Sequence, residues 1–266
     1  MSPQNTKTTK SATAKPATKK AAATPVAEKS TDIITIKFQV AYRTTFGQNI
    51  FIVGNVPELG KGKEENALRM SYLDDDYWDA QIKISKSSLP KKGLEYFYLI
   101  KNPDGYIEHS AAYHLQLSED VKQVSIVDTW NFEGFVQNAF STKVFKVLSQ
   151  KLADADIKPA KKGTHKFKVV APELQEHQSI FLLGSHTALG SWNEAEVVLL
   201  MPEKDGVWST VVNFSKTDEP VYYKYGVYDL EKKELVAYEE GSNRILDESI
   251  VNVKQVIVND GFIRTN

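Results

Sequence analysis

The chain has no cysteine. Disulfides, thiol catalysis and thiolate zinc sites are excluded with it. It carries almost no net charge, with 33 Lys and Arg against 34 Asp and Glu. No global basic field is available to recruit nucleic acid. No run is long and apolar enough to span a membrane, and the N-terminus lacks the apolar core of a secretory signal. The five histidines, at 109, 114, 165, 177 and 186, show no metal-ligand spacing such as HExxH. Neither a GxSxG elbow nor a phosphate-cradling glycine loop is present. Acidic runs such as Asp74-Asp75-Asp76 and Glu239-Glu240 fall in expected turns, where solvated charge explains them. A catalytic site and a bound cofactor are not expected. The lack of cysteine is compatible with a cytoplasmic location, which is the expectation here.

Aromatic residues are plentiful, with 4 Trp, 12 Tyr and 12 Phe, and β-rich domains favour them. A long repeat organises the chain. Residues 181–194 read FLLGSHTALGSWNE: an apolar strand, a glycine break and a loop ending on Trp192. Residues 51–62, FIVGNVPELGKG, have the same strand, glycine and Leu-Gly pair, and Gly54 and Gly184 stand 130 residues apart. Trp78 and Trp208 keep that spacing, and a VKQV tetrapeptide at 121 returns at 253. Each copy contains several short strands of period two, Trp78, Ala80, Ile82 and Ile84 being one face of such a strand. Repeats of this length are whole domains, and the strand and turn pattern predicts an all-β fold of two β-sandwiches.

The expected organisation has four parts. Residues 1–31 hold six lysines, one glutamate and almost nothing apolar, which predicts a disordered, solvated tail. A targeting peptide is the alternative there, without the usual arginines or amphipathic face. The first module covers 32–132. Residues 133–162 form a connector, predicted helical from the spacing of Phe135, Ala139, Val144, Val147, Leu148 and Leu152, followed by a short Lys-Gly linker. The second module covers 163–266.

Comparing the copies separates core from surface. Trp78 and Trp208 lie inside alternating strands and are expected in the cores; Trp130, at a strand end, is expected to pack. Trp192 belongs to no periodic stretch, and its counterpart is Gly62. A core position does not exchange Trp for Gly without leaving a large cavity, so Trp192 is expected in an exposed loop. Lys224 interrupts the apolar strand VYYKYGV where the first copy has Phe97. A hairpin would return Tyr238 towards Lys224. Aromatic rings beside a few hydrogen-bonding groups suit a sugar, whose C–H face stacks while its hydroxyls are bonded.

The run GS-x(3)-LG-x-W, the strand motif YYKY and an aromatic-Glu pair followed by Asn-Arg resemble the family-20 carbohydrate-binding modules, the starch-binding domains. The resemblance spans 33–264 and is more specific in the second copy. It implies two immunoglobulin-like antiparallel β-sandwiches that bind α-1,4-glucans without catalysis: starch, glycogen or maltooligosaccharides. It implies a principal site in the second module made of Trp192, Lys224, Tyr238, Glu239 and Asn243. The first module departs from that pattern at Gly62, Phe97 and about Ile107, so its principal site is expected to be lost. A secondary site there is implied by Phe46, in TTFGQNI, and Tyr72, whereas the second module has Glu176 at the position of Phe46. The tandem order also resembles the N-terminal half of two-module 4-α-glucanotransferases, whose catalytic barrel would begin near where this chain stops. The chain is then either a fragment that presents glucan to such an enzyme or a stand-alone binder with a glucan-active enzyme as partner. The degenerate first module leaves protein–protein interaction as a further reading. Neither a nucleic-acid nor a membrane partner is expected.

Overall fold

The computed structural model describes residues 33–117, 121–130, 164–171, 174–204 and 206–264. The tail expected over 1–31 and the helical connector and linker expected over 133–162 lie outside the described residues. The fold is all-β. The first half contains β1 (Ile33–Ala41), β2 (Asn49–Gly54), β3 (Leu68–Arg69), β4 (Ser71–Tyr72), β5 (Tyr77–Ser85), β6 (Leu94–Lys101), β7 (Ile107–His109), β8 (Tyr113–Leu115) and β9 (Gln123–Thr129). The second half contains β10 (His165–Val170), β11 (Gln178–Gly184), β12 (Val198–Leu199), β13 (Met201–Pro202), β14 (Val207–Val212), β15 (Val221–Asp229), β16 (Glu234–Tyr238), β17 (Arg244–Leu246) and β18 (Val256–Phe262), with a single-turn helix at Glu248–Val251.

Period-two alternation decides which face each strand buries. In β1, Ile34, Ile36, Phe38 and Val40 are all buried. They pack with Trp78 of β5, Tyr98 of β6 and Ile126 of β9 in one hydrophobic cluster. The second cluster has the same construction, with Phe167 of β10, Leu182 of β11, Trp208 of β14, Tyr223 of β15 and Val258 of β18. Even ring contacts repeat. Phe38 meets Tyr96 edge-on at 5.1 Å, and Phe167 meets Tyr223 edge-on at 5.3 Å. Trp78 and Trp208 are core residues, and Trp130 is buried against Tyr42 and Tyr98, as the sequence leads one to expect.

Two five-stranded sheets, one per half, are built on β2–β6 and β11–β15. The opposite layers of the two halves are one sheet. It has eight strands in the order β13-β14-β10-β18-β9-β1-β5-β4. Two features differ from separate antiparallel sandwiches. The β1–β9 and β10–β18 pairs are parallel, and a third parallel pair, β9–β18, joins the halves from Ser125↔Val256 to Asp128↔Asn259. The physical reason is the composition of those edges. QVSIVDT and VIVNDGF are rich in β-branched residues, and an unpaired strand of that kind leaves a row of unsatisfied backbone groups. Pairing satisfies both rows at once. Packing follows: Val127 of β9 belongs to the second cluster, and Ile257 of β18 packs against the first.

Candidate functional site

The loop after β11 is set by glycine. Gly184 closes the strand, and a Cβ there would stand 2.5 Å from the Tyr222 carbonyl oxygen. Gly190 has φ +77°, and a Cβ there would stand 2.5 Å from the Glu196 carbonyl oxygen. Ser191 and Trp192 continue in the left-handed region, at φ +49° and +62°. The first half repeats this backbone with Gly60, Lys61 and Gly62 at φ +80°, +52° and +76°. The loops therefore share one course and differ in what the third left-handed residue carries. At Gly62 an added Cβ would meet nothing within 4 Å. The equivalent Trp192 keeps 39% of its surface exposed, as the comparison of copies predicts.

β15 presents the rest of the site. Tyr223 and Tyr225 point inward and donate hydrogen bonds to the buried Asp260 carboxylate, at 3.1 and 2.8 Å. Alternation then turns Lys224 outward. Its Nζ donates to the Glu239 carbonyl oxygen at 3.3 Å, which places the ammonium beside the end of β16. Tyr238 pairs with Gly226 and lies edge-on to the Phe181 ring at 5.4 Å. Gly226 is required there because a Cβ would collide with Phe181 and the Ala237 carbonyl. The Tyr238 hydroxyl donates to Glu194 Oε1 at 2.9 Å. Partial burial, with that carboxylate, pushes the Tyr238 phenol up to about 12. It remains a neutral donor, and 39% of the residue stays exposed.

Of the residues expected in the site, Trp192, Tyr238 and Asn243 are exposed, and Lys224 is half-buried. Asn243 directly precedes Arg244, which pairs with Tyr223, so it stands at the end of β17 nearer Lys224. Glu239 is corrected in role. It is buried, and its carboxylate accepts from the Tyr225 and Arg264 backbone N–H groups and from the Arg244 and Arg264 guanidiniums. Burial raises this carboxyl, but those hydrogen bonds outweigh it and hold it below the usual range. Glu239 braces the segment that carries Tyr238 and Asn243 instead of facing outward. Sequence reasoning passed over Glu194 and Phe181 as individual site residues. The first lies two positions after Trp192, and the second is on the outer face of β11, opposite Gly226.

The same surface of the first half is chemically different. Phe97 of β6 replaces Lys224. Leu99 pairs with His109 as Gly226 pairs with Tyr238, so His109 and not Ile107 is the structural counterpart of Tyr238. A bulge in β16 and unequal hairpin lengths shift the count. His109 Nε2 lies 2.9 Å from Glu64 Oε1, which repeats the Tyr238–Glu194 contact with other chemistry. Elsewhere on this half, Phe46 is fully exposed and Tyr72 is 55% exposed. Tyr72 stands edge-on to Trp78 at 5.6 Å, and its hydroxyl donates to Asp75. The Arg43–Asp76 ion pair at 2.8 Å and the Tyr42 N–H to Asp76 carbonyl bond tie the loop bearing Phe46 to the turn that follows Tyr72.

The starch binding domain family matches residues 33–126 and 164–255. The rice (Oryza sativa subsp. japonica) 4-alpha-glucanotransferase DPE2 is 23% identical over 258 residues, covering 89% of this chain. The chain spans only about a quarter (27%) of that relative's length. Among solved structures, the family 20 module of the maltotetraose-forming amylase from Pseudomonas saccharophila STB07 aligns with 37% of this chain and 97% of its own, at 16% identity and a TM-score of 0.31. The family 26 module of Eubacterium rectale Amy13K, solved with maltoheptaose, covers 86% of this chain and 93% of its own, at 10% identity and a TM-score of 0.25. The first matched segment runs from β1 into β9 and the second from β10 through β17, and the chain belongs to the starch binding domain family of non-catalytic carbohydrate-binding modules.

Proposed function

We propose that the chain binds α-1,4-glucan without catalysis, and that the second half carries the principal site. The observation that carries this reading is the exposed Tyr238 ring, whose hydroxyl bonds Glu194 two residues after the exposed Trp192, next to Glu239, whose carbonyl takes the Lys224 ammonium, with exposed Asn243 just ahead of β17. The two rings cover the C–H faces of glucosyl units. Lys224 donates to their hydroxyls, and Asn243 both donates and accepts. The Tyr238–Glu194 bond fixes the angle of the tyrosine ring, so less rotamer freedom is lost when sugar arrives. A shallow site of this kind should have a dissociation constant of ~10 µM to ~1 mM, about -4 to -7 kcal/mol. The first half has Gly62, Phe97 and His109 at the corresponding positions, and its contribution is a secondary one through Phe46 and Tyr72. The likeness to a 4-alpha-glucanotransferase supports a setting in which the pair presents glucan to a catalytic domain, attached or separate.

The test is affinity electrophoresis through gels with and without soluble starch or glycogen. The intact protein should be retarded and Trp192→Ala should not, with both melting at similar temperatures. If the intact protein runs unretarded in starch and in glycogen, the glucan reading fails and the exposed faces belong to protein contacts. A large fall in the melting temperature of Trp192→Ala would instead make Trp192 a structural residue.

A further inference from the structure

One exposed apolar pair adjoins the site without being part of it. Tyr222 lies two residues before Lys224 on the same outward face of β15 and is 41% exposed. Ile245 of β17 is its cross-strand partner and is 48% exposed. Two residues along a strand advance about 7 Å, so Tyr222 stands about 7 Å from Lys224 along the same face. The backbone there is held by Ser185. The Tyr222 N–H donates to Ser185 Oγ at 3.0 Å, and the Ser185 N–H donates to the Tyr222 carbonyl at 2.8 Å. Isolated exposed apolar residues are ordinary. The repeat supplies the control that separates this pair from that background. The equivalent rung of the first half is Glu95↔His114, polar on both strands, on the half that lacks the tryptophan and the lysine. The apolar rung therefore occurs where the other ring and lysine positions are kept, and is absent where they are lost.

We propose that Tyr222 and Ile245 form an outer subsite that receives glucosyl units beyond those held at Trp192, Lys224 and Tyr238. The Tyr222 ring covers one more sugar face, its hydroxyl bonds a sugar hydroxyl, and Ile245 fills the surface beside it. The second half then selects longer maltooligosaccharides over short ones. This inference rests on the glucan reading above.

The test is isothermal titration calorimetry on the full chain with maltotriose and with maltoheptaose, for the wild type, Tyr222→Ser, Tyr222→Phe and Trp192→Ala. A longer sugar offers more binding registers, so only the change in the ratio of the two affinities between variants is diagnostic. Tyr222→Ser should leave maltotriose affinity within about twofold and weaken maltoheptaose about threefold to tenfold. Tyr222→Phe should retain most of the preference. Trp192→Ala should lose both sugars. Equal weakening of both sugars in Tyr222→Ser, or no change in either, overturns the outer subsite. A wild type that binds neither sugar, or that matches Trp192→Ala, defeats the glucan reading first and the subsite with it.

Discussion

Trp192 sits in a backbone conformation that bulky residues avoid. A positive φ on such a residue stores roughly 1–3 kcal/mol of strain, and Gly62 shows that the same loop closes without it. What the strain supports is presentation: the Cβ leaves the loop towards open space, and the indole stands clear of the core. Trp192→Gly should therefore unfold at the same urea concentration as the wild type or a higher one, while retardation by starch is lost. A destabilised Trp192→Gly would mean that the indole packs. Trp78 makes the contrast, because its ring lies inside the first core. Trp78→Ala should lose ~3–5 kcal/mol in urea unfolding, and a neutral result would place the ring on the surface. Both placements, Trp192 exposed and Trp78 buried, were legible in the sequence, because the repeat supplies a control for each tryptophan. The register of His109 was not, since a single bulge and a shorter hairpin displace the count without changing any motif. Glu239 was misjudged for another reason. Its family position is visible in sequence, but its two arginine partners converge on it only through the fold.

At the scale of elements, β15, β16 and β17 act as one bracket. Arg244 ties them together by bonding the Glu239 carboxylate at 2.8 Å, the Asp260 carbonyl at 2.8 Å and the Phe262 carbonyl at 3.0 Å. The guanidinium also lies over the Tyr225 ring at 5.3 Å. Removing one member of a buried, hydrogen-bonded charge cluster typically costs 3–5 kcal/mol, because the remaining charges stay uncompensated. Arg244→Met should fall in that range by urea unfolding. It should also weaken starch retention under conditions where the variant remains folded, since Tyr238 and Asn243 flank the bracket. Undiminished retention would show that the outer face is set by other contacts. In the first half Tyr113 occupies the position of Arg244, stacks on Tyr96 and donates to the Thr129 carbonyl. There is no cation on that rung. The strands themselves were predictable from alternation, but the bracket was not, because Asp260 lies 16 residues from Arg244 and meets it only across the sheet.

At the scale of the molecule, the first half's buried carboxylate, Asp128, takes a hydrogen-bond partner from the other half. Asp128 accepts from Tyr96 and Tyr98 within its own half and from Asn259 across the β9–β18 seam. Burial raises its carboxyl to about 6, against those three hydrogen bonds, which favour the anion. An unfolded aspartate titrates near ~3.9. Between these values the folded chain keeps a proton that the unfolded chain releases. The stability that Asp128 contributes is therefore fully present below about pH 4 and is lost as pH rises towards 6. Asp128→Asn does not titrate. Its stability relative to the wild type should rise between pH 4 and pH 6 by on the order of 2 kcal/mol, read from urea midpoints at pH 4, 5, 6 and 7. Parallel profiles for the two proteins would rule out a buried, titrating seam. Two β-rich repeats and their order could be read from the sequence. Their union into one sheet could not, because an edge that pairs with a neighbour and an edge covered in some other way have the same alternating, β-branched pattern.

The shared sheet also has a consequence in time. In chain order β9 is complete long before β18 is made, so a nascent first half waits with its valine- and isoleucine-rich edge unpaired. At ~5–20 residues per second of synthesis, that wait is on the order of ten seconds. During it, the edge is open to any other extended chain, including the same edge on a neighbouring polysome. Truncation ahead of Val256 makes permanent what synthesis makes transient.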